Sequence, residues 1–204
     1  MKIVVTRAEA QADELAARLE ALGHDVVRCP LIEIETLGDE PIDASAYDWL
    51  VVTSPNGAQE VARRLAAPAR RLAAIGPGTA EALRAHGLRV DLVPHVHTQE
   101  GLRDELPPGR LLLAAAEGAR RDVLEADFLP LYRTVELRPP APKGDLAIVA
   151  SPSAARALAA TGARLPVVAI GPQTEAEARE HGLEVAAVAA SHDLDGLVDV
   201  IESV

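Results

Sequence analysis

The chain has 204 residues, 49% apolar but only 2% aromatic, with 31 acidic against 20 basic side chains and a net charge of −11. That balance argues against an aromatic platform for single-stranded nucleic acid and against a phosphate-backbone partner, and no apolar run nears the roughly 18 residues of a membrane span. A core of Ala, Val and Leu in one large or two small domains is implied. Because the N-terminus reads at once as a strand, and Cys29 is the single cysteine, a cytoplasmic protein with no signal peptide and no internal disulfide is expected.

Lys2 to Thr6 is a β-branched apolar run suited to a strand buried on both faces. Leu15, Leu19 and Leu22 then fall at i, i+4 and i+7, an amphipathic helix closed by Gly23. Asp25 to Cys29 is the next strand, so the unit is βαβ and its strands are parallel. Trp49 to Thr53, Leu72 to Ile75, Arg110 to Ala114, Leu146 to Ala150, Val167 to Ile170 and Glu184 to Val188 continue the alternation of short apolar strands with Ala-rich helices.

Two stretches break it. Ile32 to Thr36 and Tyr132 to Leu137 alternate apolar and polar residues with a period of two, as exposed strands do. Pro139-Pro140-Ala141-Pro142 follows the second as a stiff linker. If these two stretches are crossings that pair as a two-stranded antiparallel ladder (35–37 with 131–137), one lobe is 1–34 plus 138–204 and the other is 38–130. The expected fold class is α/β: two similar doubly wound parallel-sheet lobes, one inserted in the other.

An internal repeat supports that organisation. Ala74-Ile75-Gly76-Pro77-Gly78-Thr79, Arg84 and His86-Gly87-Leu88 are answered 95 residues later by Ala169-Ile170-Gly171-Pro172-Gln173-Thr174, Arg179 and His181-Gly182-Leu183. Gly101-Leu102 and Gly196-Leu197 keep the same spacing, while Ser54-Pro55 and Ser151-Pro152 lie 97 apart. Two similar lobes frame a natural ligand cleft.

In open α/β sheets, ligands bind beyond the carboxyl ends of the strands. Five segments there each follow a strand and open a helix: Thr6-Arg7, Thr53-Ser54-Pro55-Asn56, the Gly76 turn, Ser151-Pro152-Ser153 and the Gly171 turn. Each alone is an ordinary helix start, with Ser or Thr at the cap and Pro after it. As a set they aim several helix N-termini at one cleft, which suits a ligand with many carboxylates or phosphates. Neither a GxxxxGK[ST] loop nor a GxGxxG after a strand occurs, which disfavours a nucleotide.

Other chemistries find less support. His95 and His97 read as a solvated loop rather than a metal site, and Cys29 as core rather than nucleophile. The G-x-S-x-G elbow of serine hydrolases is missing. His86 and His181 precede C-cap glycines, where a cation suits the helix dipole.

The motifs in order resemble the uroporphyrinogen-III synthase family. They are Thr6-Arg7 after the opening strand; Thr53-Ser54-Pro55 running to Ala58; the Gly-Pro-x-Thr turn at Gly76 and again at Gly171; Arg121 to Leu124; Tyr132-Arg133-Thr134; and Ser151-Pro152-Ser153. The resemblance covers the whole chain. It implies an enzyme of tetrapyrrole and haem synthesis that closes hydroxymethylbilane, a linear tetrapyrrole with eight carboxylates, to uroporphyrinogen III. Water is lost and ring D is inverted through a spiro intermediate. An octa-anion is the kind of ligand the helix-terminus cleft favours, so the two lines of argument meet.

The resemblance further implies a monomer with no metal and no organic cofactor, and it leaves open a transient hand-off from the deaminase that makes the bilane. It casts Tyr132 as the catalytic residue. Arg7, Ser54, Asn56, Thr79, Arg121, Ser151 and Thr174 are the expected substrate contacts. Two departures stand out: only 125–131 separates the Arg121 motif from the tyrosine, and Pro166 stands where some relatives carry a lysine. A non-catalytic bilobal binder of tetrapyrroles or other polyanions is the alternative on the same fold.

Overall fold

The computed structural model describes residues 1–203. In chain order the elements are β1 (Lys2–Val5), α1 (Glu9–Ala21), β2 (Asp25–Arg28), β3 (Ile32–Thr36), β4 (Ile42–Asp43), β5 (Trp49–Val52), α2 (Pro55–Arg64), β6 (Leu65–Ala67), β7 (Arg71–Ala74) and α3 (Pro77–Ala85). There follow α4 (Gln99–Glu105), β8 (Leu111–Ala116), β9 (Asp127–Glu136), β10 (Leu146–Val149), α5 (Pro152–Ala160), β11 (Val167–Ala169), α6 (Pro172–Glu180), β12 (Val185–Val188) and α7 (Leu194–Glu202). None of these helices is long and apolar enough to cross a membrane. The chain divides into two compact units, unit 1 from Met1–Ile34 with Thr134–Val204 and unit 2 from Glu35–Arg133.

Unit 1 is built on a five-stranded parallel sheet ordered β12-β11-β10-β1-β2. Apart from the exposed Lys2 that opens β1, its central strands are apolar because both faces are covered. Val4, Ala147 and Val149 pack with Leu158 of α5 and Ala178 of α6, while Ile3, Val5 and Ile148 pack with Leu15 and Leu19 of α1 and Leu197 of α7. Deleting one such fully buried leucine to alanine costs about 2–5 kcal/mol. Leu22 departs from the expected apolar stripe and is exposed. The helix ends one residue earlier, and Gly23, at φ +84°, turns the chain so that the His24 N–H reaches Leu19 O at 3.1 Å.

The sheet of unit 2 runs β3-β9-β8-β5-β7, parallel from β9 to β7. Leu102 of α4 and Leu124 pack on Trp49, Val51 and Leu113. Ala58 and Val61 of α2 and Ala80 and Leu83 of α3 are fully buried as well. Three findings correct the sequence reading. First, β3 and β9 are not a free-standing ladder, since β9 also pairs with β8, from Leu112 opposite Asp127 to Ala116 opposite Tyr132. Segment 125–131 is thus mostly strand.

Second, the period-two stretches are not simply exposed. Leu131 and Tyr132 are buried on β9, which lies inside the sheet with a neighbour on each side, and Ile32 of the edge strand β3 is buried against Ala8 and Ala154. Third, β4 and β6 form a small parallel sheet of their own. It is tied by the buried Arg64, whose guanidinium donates to the carbonyls of Leu37 and Glu40 at 2.9 Å each. Strands of two and three residues are too short to stand out in a reading based on apolar runs.

Candidate functional site

In unit 2, β5 ends at Val52, and Ser54 then caps α2 by accepting the Gly57 N–H at 3.0 Å, with Pro55 at the first helical position. Proline fits there because that N–H has no helical partner to lose. Gly57 sits in a tight place, where a Cβ would come 3.2 Å from Ser54 Oγ and 3.3 Å from a Val52 methyl and would push those neighbours aside by a few tenths of an ångström. Ser54 Oγ is also 2.8 Å from the phenol oxygen of Tyr132 on β9, two strands away across β8, and the Asn56 side chain hydrogen-bonds the same phenol. Burial, the larger influence, pushes the Tyr132 phenol above its ordinary value, with the Ser54 and Asn56 bonds opposing it. The phenol is therefore a neutral O–H donor at physiological pH. Ser54, Asn56 and Tyr132 form one hydrogen-bonded group.

Thr79 lies three residues past Gly76, which caps α3 without a side chain. The expectation that threonine serves as the cap at these turns is thus corrected: the cap is glycine, and Thr79 sits inside the first turn, buried, its hydroxyl bonded to no group among the described residues. Among the described residues no side chain caps the α3 N-terminus, and its first turn holds no acidic residue. Arg121 lies over the Phe128 ring at 3.9 Å and donates to the Glu117 carbonyl. Among the described residues it pairs with no carboxylate, so a surface salt bridge does not explain it.

In unit 1, Ser151 caps α5 through the Ala154 N–H at 3.2 Å, again with proline next. Thr174 repeats the Thr79 arrangement on α6: capped by glycine, buried, its hydroxyl unpartnered among the described residues. Thr6 is not a ligand-facing group, because its buried hydroxyl donates to Ile148 O at 2.7 Å and ties β1 to β10. Arg7 is different. Its guanidinium is held below its usual value chiefly by burial, against the opposing charge of Glu14, and it makes no hydrogen bond or ion pair among the described residues. A desolvated, unpaired cation is costly unless an anion completes it.

The sequence reading took His97 for a solvated loop residue and passed over His192, although the repeat carries both. His97 lies over Gly76, where a Cβ would come within 3.3 Å of it, and His192 covers Gly171 at 2.9 Å. They are 95 residues apart, as are the caps that follow, Thr98 onto Gly101 and Asp193 onto Gly196. Cys29 packs beside the unit 1 core with its thiol pushed up by burial, as a structural cysteine should be. Among the described residues no group of three His, Cys, Asp or Glu could hold a metal ion.

A family model described as "Uroporphyrinogen-III synthase HemD" matches residues 13–199. The chain is 34% identical over 142 residues to the uroporphyrinogen-III synthase of Synechococcus elongatus, covering 61% of this chain and 54% of that protein. It is 30% identical over 151 residues to the putative uroporphyrinogen-III synthase of Methanocaldococcus jannaschii, covering 67% and 63%. These alignments span little more than half of the relatives' length. A mutant uroporphyrinogen III synthase of Thermus thermophilus has a similar fold, with TM-score 0.64 at 15% identity, over 100% of this chain and 98% of that one.

Proposed function

Because the chain belongs to the uroporphyrinogen-III synthase HemD family, we propose that it closes hydroxymethylbilane to uroporphyrinogen III with loss of water and inversion of ring D. The observation that carries this reading is the buried Tyr132 phenol, bonded to Ser54 and Asn56 at the carboxyl end of the unit 2 strands. Ring closure needs a proton for a departing hydroxyl, and it needs the carboxylates of the bilane held still. Ser54 Oγ already accepts the Gly57 N–H, so its own O–H is free to donate to the phenol oxygen. The phenolic proton then points to the substrate.

Tyr132 gives that proton to the hydroxymethyl oxygen, water leaves, and an azafulvene remains. Ring D attacks through its substituted α-carbon, and the spiro intermediate fragments and recloses. The proton shed as the last pyrrole regains aromaticity restores the phenol. General acid assistance of this kind is worth on the order of 10²–10⁴ in rate. The carboxylates fall to the first turns at Thr79 and Thr174, to Ser151 and to the cations Arg7 and Arg121. Each turn presents an uncapped or serine-capped helix N-terminus.

In this reading the protein works as a cytoplasmic monomer without added metal and takes its bilane from the deaminase that makes it. Purified protein given hydroxymethylbilane in the presence of a chelator should yield isomer III. Isomer I alone, matching the protein-free control, would leave a non-catalytic binder of polyanions as the reading. Elution from size exclusion at twice the chain mass would remove the monomer.

A further inference from the structure

The 95-residue repeat sets α4 against α7. Thr98 and Asp193 cap them in the same way. Gly101 and Gly196 sit where a Cβ would run into the carbonyls of Val96 and Ser191, respectively. His97 and His192 cover equivalent glycines. At the first helical position the correspondence breaks. Unit 1 has Leu194, packed against the Ile3, Val5 and Leu197 cluster, as a core position should be. Unit 2 has Gln99, 9% exposed, with its buried Oε1 bonded to nothing among the described residues.

As placed, the amide oxygen is the orphaned atom, with no donor in reach among the described residues. A buried polar atom without a partner costs stability, and native proteins rarely keep one without a use. Leucine at this position would avoid that cost, as the other unit demonstrates.

The surroundings suggest the use. Two residues before Gln99, His97 lies over Gly76, which opens the Thr79 turn. The residue after it, Glu100, pairs with Arg120, the neighbour of Arg121. Gln99 is therefore bracketed between the α3 N-terminus and the segment that follows β8, at the carboxyl end of the unit 2 sheet. No hydrogen bond among the described residues holds its side chain inward, so turning it outward breaks none.

We infer that Gln99 is a further substrate-contacting residue of the proposed ring closure, swinging out to donate its amide N–H groups to a carboxylate of the bilane. The inference rests on the function proposed above. With carboxylate charge on the acceptor, losing this bond raises KM about tenfold. The turnover step does not involve the group, so kcat stays within about twofold.

The test is steady-state kinetics with hydroxymethylbilane and thermal unfolding for wild type, Gln99→Met and Gln99→Ala. Met keeps the length of the side chain and removes the orphaned amide, so it should raise both KM and the melting temperature. Ala, which cannot overpack the site, should raise KM by the same factor. Wild-type KM in both variants would overturn the assignment and leave the cyclisation standing, whereas a wild type that forms only isomer I would bring down both.

Discussion

Ser54 and Ser151 cap their helices with nearly the same backbone, φ −163° and ψ 156° against φ −164° and ψ 156°. In unit 2 the capping hydroxyl also bonds a buried phenol. In unit 1 no phenol meets Ser151 among the described residues, and on the same helix Arg156 joins Glu136 and Glu177, both at 2.9 Å. The cations differ in the opposite sense: Arg7 of unit 1 is desolvated and has no ion pair among the described residues, while Arg121 of unit 2 is stacked on Phe128. A repeated backbone supplies helix N-termini to both units. Side chains outside the repeat differ, with a hydrogen-bonded phenol in one unit and a desolvated guanidinium in the other, and under the proposed function these divide the labour.

The sharpest way to break that division is Arg7→Met, which keeps much of the packing and removes the charge. A hydrogen bond to a charged group is worth about 1.5–3 kcal/mol, so KM should rise roughly 10- to 150-fold with kcat little changed. A variant with wild-type KM would make Arg7 a structural residue and erase the asymmetry.

The paired caps come next. Ser54→Ala and Ser151→Ala each lose one cap bond and should each destabilise their helix by about 1 kcal/mol. Only the first should also lower kcat, by several-fold, because only Ser54 orients a phenol. Equal kinetic effects in the two variants would mean that the serines act as caps and nothing more.

The smallest effect is in the pH profile. Burial raises the phenol of Tyr132, so the protonated, donating form persists above its ordinary value of about 10. The alkaline fall of kcat should lie above that pH, and any stability that this shift contributes is present below it and lost as pH rises through the raised value. An alkaline limb well below pH ~10 would assign the proton to another group.

Much of this was legible from residues alone. Ile3 to Val5 and Leu146 to Val149 are apolar at consecutive positions because both faces of a parallel strand are covered, and that pattern needs no structure to read. The Gly-Pro-x-Thr repeat marked both helix starts. What failed did so for local reasons. Leu22 fits the helical period but falls past the last turn, where Gly23 redirects the chain. Thr6 looked like a helix start, yet its hydroxyl is spent on Ile148 O. Period-two alternation suggested exposed crossings, but pairing to β8 on one side buries Leu131 and Tyr132.

Gln99 was invisible because nothing in its type marks burial, and only comparison with Leu194 exposes it. The bond between Ser54 and Tyr132 joins residues 78 apart. No spacing rule reports such a contact.

The central claim, that unit 2 carries the proton donor, is tested most directly by kcat for Tyr132→Phe measured beside its thermal unfolding. Phenylalanine keeps the ring in its buried place and deletes the hydroxyl that Ser54 and Asn56 hold. The electron-rich pyrrole already assists departure of the hydroxyl, so the low end of acid catalysis applies, a fall of about 10- to 100-fold in kcat with KM nearly constant. Turnover at the wild-type rate, with stability lost only in Tyr132→Ala, would make the residue packing and contradict the account.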